Sequence, residues 1–210
     1  MCFAWPDHDA TGSSLPPLPA LPLDMAHWAA EAHYSCFGVN DHYTGSSLDG
    51  FIVDDQNSLD WLTSRNIDAD GPFGYRTFIE SVGALVMGAT TYEWIVAHEP
   101  GDWMYTQPTW VLTHRPQIVA PGHHVPTFRG EVTELYPQLL QAAGYRDVWV
   151  VGGGEVAAQF VSAGLVDELI LTYAPCTLGN GGRVLPVHSE WSLVESGVNG
   201  DFLCARWRKA

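Results

Sequence analysis

Asp147-Val-Trp-Val-Val-Gly-Gly-Gly-Glu-Val-Ala-Ala-Gln-Phe-Val-Ser-Ala-Gly164 is the stretch that decides how this chain folds. Val148 to Val151 is a short run of apolar, mostly β-branched residues, which predicts a strand buried on both faces. The three glycines that follow let the backbone turn sharply and approach a ligand closely. Apolar residues then recur at three- and four-residue intervals, which predicts a helix that ends near Gly164. Because a helix amino terminus presents unpaired N–H groups and the positive end of its dipole, this unit predicts a site for phosphate-like anions.

The glycines are compatible with two different folds. Gly152, Gly154 and Ala157 fit the G-x-G-x-x-A pattern of doubly wound nucleotide-binding folds. Such folds usually carry the pattern early and continue with further strand and helix units, whereas here only about 45 residues follow and they read as strands. This favours a fold in which the glycine turn comes late in the chain, after a central strand.

The composition of the chain limits the kinds of ligand and partner that it can bind. The chain has 210 residues, of which 46% are hydrophobic, enough for one domain with or without an extension. The net charge of -15 argues against binding to a nucleic-acid backbone. Lys209 is the only lysine, so an anionic ligand must be met by arginine, histidine or backbone N–H groups. No apolar run approaches the ~20 residues that span a bilayer, and we expect no membrane partner.

Cysteine spacing and proline content complete the organisation of the chain. The four cysteines form no C-x-x-C pair, so we expect neither a metal site nor a disulfide framework, but reduced thiols in a cytoplasmic protein. Residues 1–40 contain a proline-rich run that begins at Leu15 and are predicted to be an extension. Residues 41–210 are predicted to be the folded domain.

Two further strands are predicted to end beside the glycine turn. Ala84 to Met87 runs through Gly88 into a helix, with Thr90 and Thr91 as good N-cap residues whose hydroxyls could bind phosphate. Trp110 to Thr113 is another apolar strand. The other predicted elements are helices over 72–81 and 132–142, a strand over 169–173, and strands over 191–198 and 202–207 joined by an Asn199-Gly200 turn. The antiparallel ending implies a mixed sheet in an α/β protein.

Six stretches, in this order and spacing, resemble the dihydrofolate-reductase-like superfamily, and most closely the reductase domain of the bifunctional riboflavin-biosynthesis protein. They are Ser46-Ser-Leu-Asp-Gly-Phe-Ile, Val86-Met-Gly-Ala-Thr-Thr-Tyr-Glu, Val111-Leu-Thr-His-Arg, Val150-Val-Gly-Gly-Gly, Gly164-Leu-Val-Asp-Glu-Leu and Ala174-Pro-Cys-Thr-Leu-Gly-Asn-Gly-Gly. The resemblance implies a three-layer α/β fold, with a mixed central sheet flanked by helices and a C-terminal antiparallel hairpin. It also implies a cis peptide between Gly152 and Gly153.

The resemblance further implies a function. It predicts an NADPH-dependent reductase that transfers hydride to a small pyrimidine- or pterin-like heterocycle, like the 5-amino-6-(5-phosphoribosylamino)uracil reductases, and that forms a homodimer. A true dihydrofolate reductase and a non-catalytic, dinucleotide-binding dimeric protein are the alternatives.

Carried over by position, the resemblance predicts the cofactor site. The residues are Gly88, Thr90, Thr91, Thr113, His114, Arg115, Gly152, Gly153, Gly154, Glu155 and Val156. The family usually has arginine where this chain has Ala89. We therefore expect Arg115 to carry the contact with the adenosine 2′-phosphate, because a guanidinium binds phosphate with two parallel hydrogen bonds.

The substrate side is less clearly marked. Hydride transfer to a C=N bond requires a proton donor, and Asp49 and Asp60 are the candidates, with Asp70 as a further possibility. Asp49 could instead hold its turn. The predicted substrate contacts are Ser47, Trp103 and Tyr105, and the aromatic rings among them could stack on a flat heterocycle. His123 and His124 are predicted to lie in an exposed turn rather than to bind a metal.

Overall fold

The computed structural model of the protein describes residues 39–210, so the predicted extension falls almost wholly outside the described residues. The strands are β1 Asn40–Ser46, β2 Phe51–Val53, β3 Val82–Gly88, β4 Thr109–Leu112, β5 Thr127–Phe128, β6 Asp147–Gly152, β7 Glu168–Tyr173, β8 Gly182–Arg183, β9 Trp191–Asn199 and β10 Phe202–Lys209. The helices are α1 Asp60–Thr63, α2 Tyr75–Ser81, α3 Ala89–His98, α4 Val132–Ala143 and α5 Gly154–Ser162, with a short 3₁₀ turn at Pro116–Ile118.

Eight strands form one mixed sheet in the order β5-β4-β3-β6-β1-β7-β10-β9. The first six are parallel to their neighbours, and β10 joins β7 and β9 antiparallel. Parallel neighbours need crossover connections, which α3, α4 and α5 supply, whereas a tight turn suffices for the hairpin. The mixed α/β fold predicted from the sequence is therefore confirmed. β2 and β8 form a separate antiparallel pair.

Helices cover both faces of the sheet because alternate residues of each strand point to opposite sides. On one face, Val86 and Val150 pack with Leu135 and Leu139 of α4 and Phe160 of α5. On the other face, Leu85 and Trp149 pack with Phe78 of α2, and Met87 packs with Tyr92 and Ile95 of α3. All seven residues of β3 are buried. An unbroken apolar run is what a strand covered on both faces requires.

Two predicted helix starts and one predicted hairpin turn were wrong. α2 begins at Tyr75 instead of Pro72, since Gly74 in extended conformation is its N-cap. α3 has Gly88 as its N-cap and begins at Ala89, so neither Thr90 nor Thr91 caps it. The hairpin turn lies at Gly200 and Asp201. Asn199 instead ends β9 as a buried residue whose side chain bonds the backbone of the loop before α2.

Among residues 39–210, no helix is long and apolar enough to cross a membrane.

Candidate dinucleotide and substrate site

Two helix amino termini meet at the carboxyl edge of the sheet. Met87 of β3 is in register with Gly152 of β6, and each strand runs directly into a helix, α3 after Gly88 and α5 after Gly153. A Cβ atom on Gly88 would lie 3.8 Å from the Gly153 nitrogen and 3.9 Å from the Gly152 oxygen. Neither N-cap offers a side-chain hydrogen bond to its helix. The first N–H groups of both helices are thus available to one anionic ligand.

The glycine turn has the geometry that the resemblance implied. The peptide bond between Gly152 and Gly153 is cis, as predicted, and Gly152 has φ 148°, a conformation that residues with a side chain rarely adopt. The Thr91 hydroxyl oxygen lies 3.6 Å from where a Cβ on Gly152 would be. Thr91 therefore borders the turn, while Thr90 is exposed on the first turn of α3.

The third glycine serves packing. A Cβ on Gly154 would collide with the carbonyl oxygen of Arg183, so only glycine lets β8 pass over the start of α5. Ile52 of β2 lies close to the same turn, with its Cδ1 3.8 Å from a Cβ placed on Gly153. That the β2 and β8 segments flank the glycine turn was not predictable from the sequence, because short isolated strand pairs carry little periodicity. Val156 is buried against Gly88 and packs instead of facing solvent.

Arg115 is held by a residue that the sequence did not single out. Its two terminal nitrogens donate to the two carboxylate oxygens of Glu93 on α3, at 3.0 and 2.8 Å. Its backbone N–H donates to the Thr113 hydroxyl at 2.9 Å. His114 is exposed beside them. The predicted phosphate-binding fork is therefore already paired with a carboxylate, although the pair is about half exposed and open to competition.

Asp49 anchors a loop. Its carboxylate accepts hydrogen bonds from the Ser47 hydroxyl at 2.6 Å, the Leu178 N–H at 3.0 Å and the Gly179 N–H at 2.7 Å. These bonds, with the Ser47 bond as the largest cause, lower the pKa of Asp49 to about 2. Such a group is ionised at neutral pH, and this geometry favours an anchoring role over proton donation.

Ser47 belongs to the same turn. It is buried, and its hydroxyl accepts from the Phe51 N–H at 3.0 Å while it donates to Asp49. Its predicted contact with substrate would compete with both bonds. The other two acids are exposed: Asp60 is the first residue of α1, and Asp70 pairs with Arg76 at 2.6 Å.

An aromatic wall lies on the sheet face that α2 and α3 cover. Trp149 of β6 has Tyr75 of α2 at 6.1 Å between ring centroids and Tyr105 of the loop after α3 at 5.9 Å. Burial raises the pKa of Tyr105 and of Tyr75. Both hydroxyls therefore stay protonated at neutral pH and can donate hydrogen bonds. Tyr75 was not predicted from the sequence, since one tyrosine at a helix start carries no distinctive signal.

The second predicted aromatic contact belongs to a neighbouring cluster. Trp103 packs on Tyr92 and His123, with ring centroids 5.3 and 5.5 Å away. His123 Nδ1 lies 2.9 Å from the Tyr92 hydroxyl. The prediction of an exposed turn was therefore wrong for His123, which is half-buried, and right for His124, which is exposed.

Comparison with known proteins places this arrangement in a family. The uncharacterised protein YwjB of Bacillus subtilis (strain 168) is 30% identical over 139 residues, which cover 66% of this chain and 78% of YwjB. The uncharacterised protein YyaP of the same organism is 23% identical over 145 residues, or 64% of this chain and 73% of YyaP. The RibD C-terminal domain model matches residues 97–195. The chain belongs to the RibD C-terminal domain family.

Solved structures agree with membership of the RibD C-terminal domain family. A protein from Shewanella sp. PV-4 assigned to riboflavin biosynthesis superposes with a TM-score of 0.71 at 28% identity, over 82% of this chain and 99% of that one. The Thermotoga maritima diaminohydroxyphosphoribosylaminopyrimidine deaminase/5-amino-6-(5-phosphoribosylamino)uracil reductase gives 0.60 at 15% identity, over 87% and 58%. Enterococcus faecalis dihydrofolate reductase in complex with NADP(H) gives 0.57 at 20%, over 83% and 99%. The last two likenesses concern the fold alone.

Proposed function

We propose that the protein is an NADPH-dependent reductase that transfers hydride to a C=N or C=O bond of a small pyrimidine- or pterin-like heterocycle, such as 5-amino-6-(5-phosphoribosylamino)uracil. The observation that carries the proposal is the convergence of two uncapped helix amino termini on a side-chain-free strand edge at Gly88 and Gly152. Membership of a family whose relatives include reductases supports the same chemistry.

The residues present fit a dinucleotide. The backbone N–H groups at the starts of α3 and α5, with the Thr91 hydroxyl, would hold the pyrophosphate, since a chain with one lysine relies on main-chain donors. Strands in a sheet lie about 4.8 Å apart, so the two steps from β6 through β3 to β4 span roughly 10 Å. The adenosine end would then reach Thr113, His114 and Arg115. When bound, the reduced nicotinamide supplies the hydride, and the protein supplies orientation.

The substrate would lie over the aromatic wall. Tyr105 and Tyr75 present flat apolar rings and protonated hydroxyls, which suits a heterocycle with ring nitrogens and carbonyl oxygens. Asp49 is ionised and engaged with three donors. We therefore propose that water beside Tyr75 and Tyr105, rather than a carboxylic acid, delivers the proton that follows the hydride.

The test is NADPH oxidation, followed by absorbance, against a panel of aminouracil ribityl compounds, pterins and 7,8-dihydrofolate. We expect oxidation with a pyrimidine or pterin acceptor, and a loss of at least tenfold in kcat/KM in a Tyr105→Phe and Tyr75→Phe double variant. Methotrexate-sensitive activity confined to dihydrofolate would instead identify a dihydrofolate reductase. Binding of NADPH without oxidation across the panel would contradict the reductase proposal and favour a non-catalytic binding protein.

A further inference from the structure

A buried carboxyl group lies at the sheet edge opposite the dinucleotide site. Asp41 is the second residue of β1 and is 3% exposed. Its Oδ1 atom is fully buried and has no hydrogen-bond partner among residues 39–210. Unpaired buried polar atoms are rare in folded proteins because each one forfeits its hydration without a replacement. The unpaired carboxyl oxygen of Asp41 is therefore a candidate binding group for a ligand.

Asp41 borders a cavity large enough for a small organic molecule. The cavity has a volume of about 450 Å³ and lies between β1, β7, α2 and the loop that precedes α2. The cavity is lined by the aromatic rings of Tyr43, Phe73 and Phe78 and by the hydroxyl groups of Thr77 and Ser81. Tyr43 and Phe78 stack with ring centroids 4.4 Å apart. Ligand sites in proteins typically combine this size with apolar walls and one or two fixed polar groups.

The charges around Asp41 leave it without a cation of its own. Asp147 of β6 and Glu168 of β7 flank it, and Asp167 lies at the start of the same edge. Arg206 of β10 is the cation that faces it, and that guanidinium bonds Glu168 at 2.9 Å and Glu195 at 3.0 Å. Arg208 also pairs with Glu168, at 2.7 Å. Asp41 and Asp147 are the acidic residues that line the cavity, and the one guanidinium among its described lining residues, that of Arg206, is already shared between Glu168 and Glu195.

We propose that this cavity binds a small organic cation, an amidinium, guanidinium or ammonium group on a flat apolar body, with Asp41 as its counter-ion. Among residues 39–210 no group of three or more His, Cys, Asp or Glu side chains is placed to hold a metal ion. An anionic ligand would face the Asp147 carboxylate and the Asp41 carboxyl group, while Arg206 is already paired. An organic cation completes the hydrogen bonding of Asp41, and its apolar body covers the aromatic rings that line the cavity.

Binding of a cation at Asp41 should be accompanied by a measurable release of protons. Burial, then the neighbouring charges of Asp147 and Glu168, raise the pKa of Asp41 to about 8. At pH 7 the empty site therefore holds a proton on Asp41. A bound cation favours the ionised carboxylate, so binding releases close to one proton.

The experiment is isothermal titration calorimetry with benzamidine, an aromatic amidinium, and with benzamide, its neutral isostere, at pH 7 in two buffers of different ionisation enthalpy. We expect saturable benzamidine binding, release of nearly one proton and at least tenfold weaker binding of benzamide. Equal binding of both compounds, binding without proton release, or no benzamidine binding would overturn the proposal. These readouts use the unaltered protein and do not depend on its reductase activity.

A substitution at Asp41 tests whether this carboxyl group binds the amidinium. Asp41→Asn removes the charge with little change of volume and should weaken benzamidine binding at least tenfold and abolish the proton release. Asp55→Asn, at an exposed loop position, is the matched control and should bind as the unaltered protein does. Retained binding in Asp41→Asn would place the amidinium elsewhere and refute the assignment. Far-UV circular dichroism checks that both variants are folded.

Discussion

At the adenosine end of the proposed dinucleotide site, Glu93 would compete with a cofactor phosphate for Arg115. The guanidinium that the family resemblance predicts to bind a 2′-phosphate instead donates both of its parallel hydrogen bonds to the Glu93 carboxylate. A phosphate that reaches Arg115 must displace Glu93 or accept a second anion beside it. The absence of arginine at position 89 leaves nothing at that position to offset the cost. In the proposed reductase, Glu93 would therefore weaken the preference for NADPH over NADH.

We predict that Glu93→Gln increases that preference about tenfold, which corresponds to about 1.4 kcal/mol. Arg115→Ala should weaken NADPH binding by roughly 1.5 to 3 kcal/mol and leave NADH binding nearly unchanged. Dissociation constants for both nucleotides, from tryptophan fluorescence, measure the ratio. Glu99→Gln, just after the exposed end of α3, is the matched control. An unchanged NADPH to NADH ratio in both Glu93→Gln and Arg115→Ala would place the 2′-phosphate elsewhere.

Asp49 gives a prediction of pH dependence. Its folded pKa is lowered to about 2, so the stability that it contributes is fully present above its unfolded pKa near 4 and is lost as the pH falls toward 2. Asp49→Asn should lower the melting temperature at pH 7, and the difference from the unaltered protein should shrink between pH 5 and pH 2. Thermal unfolding across this pH range is the measurement. A constant difference down to pH 2 would mean that the Asp49 charge does not hold the loop.

At the scale of elements, periodicity predicted the central strands and their helices. Strand β3 and residues 148–152 of β6 are largely buried on both faces and are apolar, and α4 and α5 bury one stripe each, so both patterns appear in the sequence. Helix starts were less predictable. A glycine N-cap such as Gly88 lacks a side-chain signal, whereas the hydroxyls of Thr90 and Thr91 are typical of N-caps and favoured those positions. The Asp49 anchor and the β2 and β8 pair depend on contacts between residues about 130 positions apart, which local sequence does not encode.

Gly154 tests the packing of these elements. We predict that Gly154→Ala destabilises the protein by roughly 3 kcal/mol, because the new Cβ would meet the backbone of Arg183 and Val184, which no side-chain rotation can relieve. Gly197→Ala in β9 is the control, since its Cβ would meet only the Phe73 ring at 3.3 Å. Urea unfolding of both variants gives the comparison. Equal stability of the two variants would show that β8 does not close over α5.

At the scale of the whole molecule, the β9 and β10 hairpin leaves apolar side chains in solvent. Val198 and Leu203 are paired across the hairpin and are 68% and 52% exposed, and Leu193 and Val194 of β9 are also exposed. β9 is the edge strand of the sheet, and exposed edges with apolar residues favour association. We propose that two copies of the chain pair through this hairpin, in line with the homodimer that the family resemblance implies.

Leu203→Glu should therefore convert a dimer into a monomer, because it buries a charge in the proposed interface. Sedimentation velocity over a range of protein concentrations measures the change. Tyr145→Glu, at a position 83% exposed just after α4, should leave the dimer intact. A monomeric unaltered protein at all concentrations, or a dimer that persists in Leu203→Glu, would exclude this interface.

Titration of the protein with NADPH tests the central claim most directly. Trp149 is part of the strand that ends at the glycine turn, and Trp110 lies on the strand that leads to Arg115. We predict saturable quenching of tryptophan emission together with a rise in melting temperature that grows with NADPH concentration. Neither quenching nor a thermal shift at millimolar NADPH or NADH would contradict the account of this edge as a dinucleotide site.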